Sequence, residues 1–158
     1  ADELGAQDPD NAQTYSDNAD AFTAKVADLE AEAASMSEEF AGEGVAITQP
    51  VHGYLLDAVG LENRTPEEFA EAIEEETDVP PAALAETLAL FSEHQVAALV
   101  YNEQTTGPET EQVLQAAQDN GVPVVPVTET LPDGQDYASW MTANLNAVHD
   151  ALHAAPQQ

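Results

Sequence analysis

Polar side chains that could bind a ligand follow three short apolar stretches of the sequence, at the point where each stretch ends. Gln49 and His52 come after the first stretch, Glu103 after the second, and Glu129 after the third. We interpret the stretches as strands of a parallel sheet, in which ligands bind beyond the carboxyl ends of the strands. An imidazole, two carboxylates and several amides would then share one edge. Nitrogen and oxygen groups of this kind, without sulfur, could bind a divalent metal ion or a polar small molecule.

Each of these residues also has a purely structural explanation. His52 could hydrogen-bond a backbone carbonyl, and Gln49 could do no more than stabilise a turn. Glu103 lies where a helix N-terminus would favour a negative charge, so we favour a capping role for it. Glu129 ends a buried strand, where a carboxylate needs a partner, and it is therefore the strongest single candidate for a metal ligand.

A second group of possible ligands lies near the end of the chain. His149 and His153 are four residues apart on a predicted helix, so both imidazoles lie on one face and could chelate zinc. The metalloprotease motif HExxH needs Glu directly after its first histidine, and this chain has Asp150 there. A histidine near a helix C-terminus is favourable for electrostatic reasons alone, and we expect no physiological metal site at this pair.

Motifs for catalysis are missing from the sequence. It contains no GxSxG, no P-loop and no GxGxxG, and pairs of carboxylates carry no information in a chain with 31 acidic residues. We therefore expect that the protein is not an enzyme and that it needs no organic cofactor.

A long helix is predicted at the start of the chain, over residues 8–40. Apolar residues recur at alternating intervals of four and three between Tyr15 and Phe40, which places them in one stripe along a helix. Asp8 and Pro9 predict its N-terminal cap and first turn. Charge pairing of the coiled-coil kind is not available to a chain with two cations, so we expect this helix to lie along a domain.

The rest of the chain, residues 44–155, predicts an α/β lobe. Apolar runs alternate with helical patterns, which is typical of a small parallel sheet covered by helices on both faces, a three-layer arrangement. The three predicted strands are VAIT, VAALVY and VPVVPVT. The second is apolar throughout, which indicates burial on both faces, and the prolines of the third indicate an edge of the sheet.

The helices between the strands carry recognisable start and stop signals. Thr65, Pro66 and Glu68 predict a capping box with proline at the first helical position. Gly60 and Gly121 follow directly after two other helical patterns, where a glycine often ends a helix.

The composition excludes several classes of partner. One Lys and one Arg against 31 acidic residues give a formal charge of −29, so nucleic acid and anionic membranes are excluded as partners. We interpret this charge as the surface of a salt-adapted or otherwise acid-biased proteome. The absence of cysteine excludes disulfides and thiolate metal sites. No signal segment is found, and the opening ADELGAQDPDN looks like a trimmed or processed end.

The order of these segments resembles the zinc/manganese-type solute-binding proteins of ABC transporters. The family's long backbone helix, which connects two α/β lobes, is similar to DPDNAQTYSDNADAFTAKVADLEAE. Parts of its second lobe are similar to TQPVHGYLLDAVGLE, to PAALAETLALFSEHQVAALVYNEQ and to GVPVVPVTETLPDGQDYASWMTANLNAV. The likeness covers nearly the whole chain in the right order.

The resemblance implies a transported metal ion, zinc or manganese, held between two lobes. In the second lobe the family's first ligand would fall at Gln49, which precedes Gly53 by four residues, and its acidic ligand would fall at Glu129. Gln49 departs from the family pattern, and His52, three residues further on, is the candidate to replace it. The first lobe and its two ligands would lie outside this chain. An ABC permease as partner and an extracytoplasmic location, periplasmic or lipid-anchored at the cell surface, are further implications.

Two functions remain open from the sequence. The first is a solute-binding component for divalent metal, present here as one lobe, which the acidic residue Glu129 favours. The second is a non-catalytic interaction module derived from that lobe, which the neutral residue Gln49 favours. Such a module would pair along the long helix with the missing lobe or with another chain, and would bind metal weakly or not at all.

Overall fold

A computed structural model describes residues 1–155 of the chain. It contains seven α-helices and four strands in the order ααβαβααβαβα. The helices are α1 (Asp2–Gln7), α2 (Ala12–Phe40), α3 (Gly53–Val59), α4 (Glu67–Glu74), α5 (Pro81–Ser92), α6 (Pro108–Asp119) and α7 (Tyr137–Ala154). The strands are β1 (Gly44–Ile47), β2 (Glu62–Asn63), β3 (Ala98–Asn102) and β4 (Val124–Val127). Short 3-10 turns lie at Pro9–Asn11 and Pro50–His52.

The four strands form one parallel sheet in the order β2-β1-β3-β4. The α/β class, the parallel sheet and the long leading helix are thereby confirmed, and β4 lies at an edge as its prolines indicate. The sheet has one strand more than predicted. The additional strand, β2, is two residues long, and both residues are exposed. No apolar pattern marks such a strand. It pairs only with the start of β1, through Gly44 and Val45.

Helices cover both faces of the sheet, and successive strand residues serve opposite cores because side chains alternate along a strand. Val45 and Ile47 belong to the core under α2, α3 and α7, whereas Ala46 between them belongs to the core under α4, α5 and α6. The same alternation holds in β3, all five residues of which are buried. Phe69 of α4 and Phe91 of α5 are fully buried anchors of the second core.

The apolar stripe of α2 is buried only near its C-terminal end. Ala33, Met36 and Phe40 belong to the first core, whereas Phe22 is 49% exposed. The ring of Phe22 packs against Tyr137 at the start of α7, with ring centroids 5.9 Å apart. The last turns of α2 therefore fix the helix to the lobe, and the stripe continues beyond the area that the lobe covers.

One predicted helix cap is confirmed and one is wrong. Asp8 is the N-cap residue of the 3-10 turn that begins at Pro9, and this turn leads directly into α2. The Asp8 carboxylate accepts hydrogen bonds from Asn11 (2.8 Å) and Tyr15 (2.9 Å), which lower its pKa. Thr65 caps no helix, because its hydroxyl bonds the backbone of Ile47 and ties the end of β2 to β1. Pro66 is the N-cap residue of α4, without a capping box.

The two basic side chains make different contacts. Lys25 of α2 bonds Asp136 at the start of α7, with Nζ 2.9 Å from Oδ2. Arg64 lies over Gly44 and donates to the backbone oxygen of Gln95 at 2.5 Å. No helix within residues 1–155 is long and apolar enough to cross a membrane.

Candidate metal centre

Three loops meet beyond the carboxyl ends of β1, β3 and β4. Because these strands are parallel neighbours, the residues that follow them come to the same edge of the sheet. Thr48, directly after β1, is fully buried, and its hydroxyl accepts a hydrogen bond of 2.9 Å from the backbone N–H of Asn102 at the end of β3. This bond fixes the first two loops to each other below the candidate site.

The side chain of Asn102 is the centre of the cluster. It is 2% exposed, and its amide nitrogen donates to Oε1 of Gln49 and, at 2.6 Å, to Oε1 of Glu129. The Thr105 hydroxyl also donates to that carboxylate oxygen, at 2.9 Å. The amide oxygen of Gln49 and the carboxylate of Glu129, 80 positions apart in the chain, are therefore held around a single nitrogen atom.

Gln104 fixes the loop that carries Glu129. Its side-chain oxygen accepts hydrogen bonds from the backbone N–H groups of Glu129 (2.7 Å) and Thr130 (3.1 Å), and its amide nitrogen donates to the Thr130 hydroxyl at 2.8 Å. The backbone N–H of Gln104 in turn donates to the side-chain oxygen of Asn102 at 3.0 Å. The loop after β3 thus positions the carboxylate that follows β4.

His52 lies in the same part of the fold but contacts α7. It is 7% exposed, its ring stands edge-to-face with Trp140, and Nε2 is 3.5 Å from the Asn144 amide nitrogen. Within residues 1–155 its Nδ1 is buried without a hydrogen-bond partner. Burial lowers the pKa of His52, because the charged imidazolium would lose its hydration. A neutral imidazole has a lone pair on one ring nitrogen, as a metal ligand requires.

The capping role favoured for Glu103 is wrong. The next helix, α6, begins only at Pro108, and Gly107 is its N-cap residue, where Thr110 forms a local box. The side chain of Glu103 is exposed, and its backbone N–H bonds the oxygen of Val127 at the end of β4. It belongs to the sheet ladder rather than to a helix end.

Asn102 and Gln104 are two of the amides that follow the predicted strands, and no role was predicted for either. The available signal was a buried-strand pattern that ends directly in Asn and continues with Gln two residues later. A side-chain amide both donates and accepts, so it can organise several loops where a carboxylate cannot. The resulting cluster consists of oxygen acceptors around one amide, and among residues 1–155 Glu129 is the only carboxylate bonded to the Asn102 side chain.

Comparison with known proteins points to one family. The family model described as zinc-uptake complex component A, periplasmic, matches residues 1–151. No curated protein sequence matches the chain significantly.

Solved structures of this kind share the fold. The laminin-binding protein Lmb of Streptococcus agalactiae, described as having adhesin and metal transporting activity, is 21% identical with a TM-score of 0.73, over 96% of this chain and 57% of Lmb. The protein FpvC of Pseudomonas aeruginosa, in complex with Mn²⁺, is 24% identical with a TM-score of 0.68, over 96% of this chain and 54% of FpvC. At such identities the likeness shows the fold alone. The chain spans just over half the length of these structures.

Proposed function

Because the chain belongs to the zinc/manganese-type family of ABC transporter solute-binding proteins, we propose that it binds a divalent metal ion outside the cytoplasm and presents it to an ABC permease. The ion is cargo rather than a catalyst, and no reaction is involved. The observation that carries this proposal is the convergence of Gln49 and Glu129 on the side chain of Asn102.

Glu129 is the main ligand in this proposal. Its side chain is exposed at the edge of the sheet, and the bonds from Asn102 and Thr105 both go to Oε1. The second oxygen, Oε2, can therefore bind a cation without breaking either bond. Glu129 also supplies the only formal charge among the proposed ligands, since Gln49 is an amide and His52 binds metal in its neutral form.

Gln49 and His52 complete the proposed ligand set and decide which metal is preferred. The amide oxygen of Gln49 and the carboxylate of Glu129 are hard donors, which suit manganese, whereas the imidazole of His52 suits zinc. The unpartnered Nδ1 of His52 supports its inclusion, because a buried ring nitrogen without a hydrogen bond is costly to leave unused. We propose zinc or manganese as the transported ion.

The proposed site needs further ligands from another surface, because one amide, one carboxylate and one imidazole leave much of the ion open to solvent. Three large hydrophobic side chains are exposed in the segments that follow β1 and β4, namely Val51 (43%), Tyr54 (93%) and Leu131 (49%). The exposed part of the α2 stripe, which includes Phe22, is a further apolar surface that a partner could bury. We propose that a further α/β lobe, or another chain, packs against these surfaces.

An interaction module is the second candidate, and one observation favours it. Asn102 donates to one oxygen of Gln49 and one oxygen of Glu129 without any ion, so the cluster can hold the loops together by itself. In that case the exposed Tyr54 and the α2 stripe would bind a protein partner, and metal would bind weakly or not at all.

Calorimetric titration with zinc and with manganese separates the two candidates. It should be run in molar sodium chloride, where a Debye length of about 3 Å suppresses diffuse binding to the acidic surface. Glu129→Gln should abolish site-specific binding. Gln49→His should strengthen zinc binding, because imidazole is a far better zinc ligand than an amide oxygen. Glu86→Gln, an exposed carboxylate on α5, removes the same charge away from the cluster and should leave binding unchanged.

Identical titrations of the wild type, Glu129→Gln and Gln49→His would overturn the metal-binding proposal at this edge. The interaction module would then replace it. A loss that is equal for Glu129→Gln and Glu86→Gln would also count against the site, because it would show that only the overall charge matters.

A further inference from the structure

A second group of metal-binding side chains lies at the opposite edge of the lobe. Glu39 is in the last turn of α2, and His149 and His153 are in the last turns of α7. Glu39 and His153 line a cavity together with Val96 and Val122, which precede β3 and β4. The group is therefore at the amino ends of the strands, whereas Gln49 and Glu129 are at the carboxyl ends.

The distances within this group fit a tetrahedral metal ion. Nε2 of His153 is 3.1 Å from Nε2 of His149 and 3.4 Å from Oε1 of Glu39. One ligand atom from each of the three residues lies within 4.8 Å of the other two. Zinc bonds of about 2.0–2.2 Å at tetrahedral angles place neighbouring ligand atoms about 3.3–3.6 Å apart. Two of the three separations are thus already close to those of a zinc site.

The two imidazoles are also held in place. Their spacing of four residues puts both on one face of α7, and Phe40 stands edge-to-face with each ring, at centroid distances of 5.8 Å for His149 and 5.1 Å for His153. Phe40 is itself 8% exposed in the first core. The ring orientations are therefore fixed by a buried residue on a different helix.

The carboxylate of Asp150 lies near the second ring nitrogen of His149. Nδ1 of His149 is 3.6 Å from Oδ1 of Asp150. If Nε2 binds a metal ion, Nδ1 carries the ring proton and faces this carboxylate. Histidines that ligate zinc commonly donate this proton to a carboxylate, which fixes the tautomer and raises the basicity of the ligand. Asp150 supplies the negative charge there, although 3.6 Å is longer than a hydrogen bond.

Without a cation, the same group is less well satisfied. Two imidazole nitrogens at 3.1 Å can share only one proton, and Glu39 can then interact only with whichever ring carries a donor. A divalent cation satisfies all three residues at once. Acidic residues alone would not define a site in a chain of charge −29, but two of its four histidines are collected here.

The two histidines alone gave no reason to expect a metal site, but Glu39 of α2 lies within reach of both. We propose that Glu39, His149 and His153 bind a zinc ion that joins the end of α2 to the end of α7, separately from any transported metal. Water fills the remaining coordination position on the exposed side, since the three side chains are 52%, 40% and 49% exposed. The ion stabilises the packing of α2 against α7, because its ligands come from both helices.

The test uses the Glu129→Gln protein, so that the other edge of the sheet does not contribute. Zinc is titrated calorimetrically in molar sodium chloride, and cobalt(II) absorption then reports the coordination geometry. We expect one zinc ion and the intense visible bands of tetrahedral cobalt. Adding His149→Ala with His153→Ala should abolish both, and Glu39→Gln should weaken zinc binding roughly tenfold or more. Glu38→Gln, an exposed neighbour on the same helix, is the matched control and should have no effect.

The inference is overturned if the Glu129→Gln protein binds zinc equally with and without the two histidines, or if it binds none. It is also overturned if Glu39→Gln and Glu38→Gln have the same effect. Circular dichroism of each variant confirms folding, which exposed side chains of this kind should not disturb. Failure of the site at Glu129 would not affect this result, because the two sites are removed by different substitutions.

Discussion

Asn102→Asp is the substitution that tests the candidate metal centre most directly. The new side chain has almost the same shape, but it replaces a donor by a carboxylate oxygen that faces Oε1 of Glu129, now 2.6 Å from the amide nitrogen. Asn102 is 2% exposed, so the new charge is poorly hydrated. The substitution therefore removes the hydrogen bonds that Asn102 donates to Gln49 and Glu129, and it places two carboxylates face to face, without creating a cavity.

The size of the effect follows from the bonds that are lost. A hydrogen bond to a charged acceptor contributes about 1.5–3 kcal/mol and a neutral one about 1 kcal/mol. Discounting the first because Glu129 is exposed, we expect a loss of about 2–4 kcal/mol in the free energy of unfolding. For a chain of this length that corresponds to a fall of roughly 4–16 °C in the melting temperature.

Thermal and urea denaturation in chelator measure this loss. Gln115→Glu is the matched control, because the Gln115 amide also donates to a carboxylate, that of Asp119 at 2.7 Å, but on an exposed helix face. It should cost less than about 1 kcal/mol. Adding Glu129→Gln to Asn102→Asp should restore most of the stability, because the new amide can donate to the new carboxylate.

Manganese should rescue the Asn102→Asp protein, since two facing carboxylates are better ligands than an amide and a carboxylate. At a manganese concentration of about 100 times its Kd, the variant gains about 2.7 kcal/mol in the free energy of unfolding. At the same concentration the wild type, which binds manganese more weakly, gains less, so the melting temperature of the variant should rise more. A variant as stable as the wild type in chelator would show that the bonds to Asn102 do not hold the loops. A destabilised variant that manganese does not rescue would show that this edge does not bind cations.

Three other features of the structure give expectations of their own. A Cβ at Gly44 would lie 2.6 Å from Cζ of Arg64, so Gly44→Ala should displace that side chain from Gln95 and lower the free energy of unfolding by about 1–2 kcal/mol. In an Arg64→Ala background the same change should instead raise it by about 0.4–1 kcal/mol, and an equal cost in both backgrounds contradicts the reasoning. Salt should stabilise the fold, because repulsion at a charge of −29 is screened as the Debye length falls to about 3 Å near molar salt; a melting temperature that is flat or falls with sodium chloride is the contrary result. Hydrogen bonds from Ser139, then from Lys25, lower the pKa of Asp136 below its usual 3.8, so the ionised Asp136 stabilises the fold above pH 3.8, and this stabilisation is lost as the pH falls towards the lowered pKa. The difference in urea midpoint between wild type and Asp136→Ala should therefore be constant above about pH 5 and narrow below about pH 4, and a difference that widens on acidification refutes this.

Much of the fold could be predicted because its signals are local. Apolar runs such as the one that became β3, and glycine at the end of a helix, as at Gly60, report on a few neighbouring residues. The strand β2 could not be found, because two exposed polar residues pair only through their backbone with β1. The role of Thr65 was missed for a similar reason, since its hydroxyl bonds a strand 18 residues earlier rather than its own helix.

The candidate site could be predicted less completely than the fold. Strand ends predicted which loops meet, and Gln49 and Glu129 do share a partner. The partner itself, Asn102, was marked only by its position at the end of a buried strand, and its role could not be predicted because an amide becomes important only once the loops around it are assembled. The orientation of His52 towards α7 depends on Trp140 and Asn144, about 90 residues further along the chain, and no local pattern encodes such a contact.

Because the chain has few basic residues, limited digestion with trypsin, which cuts after Lys and Arg, can report on single places in the fold. The chain offers only two such bonds. One follows Lys25 of α2, whose side chain is half-exposed and bonded to Asp136 of α7, and one follows Arg64, where β2 passes into buried Thr65. The fragment pattern of a brief digestion is therefore a readout of two places at once. Cutting after Lys25 reports whether a lobe or partner covers the long helix, and cutting after Arg64 reports whether the edge of the sheet has opened.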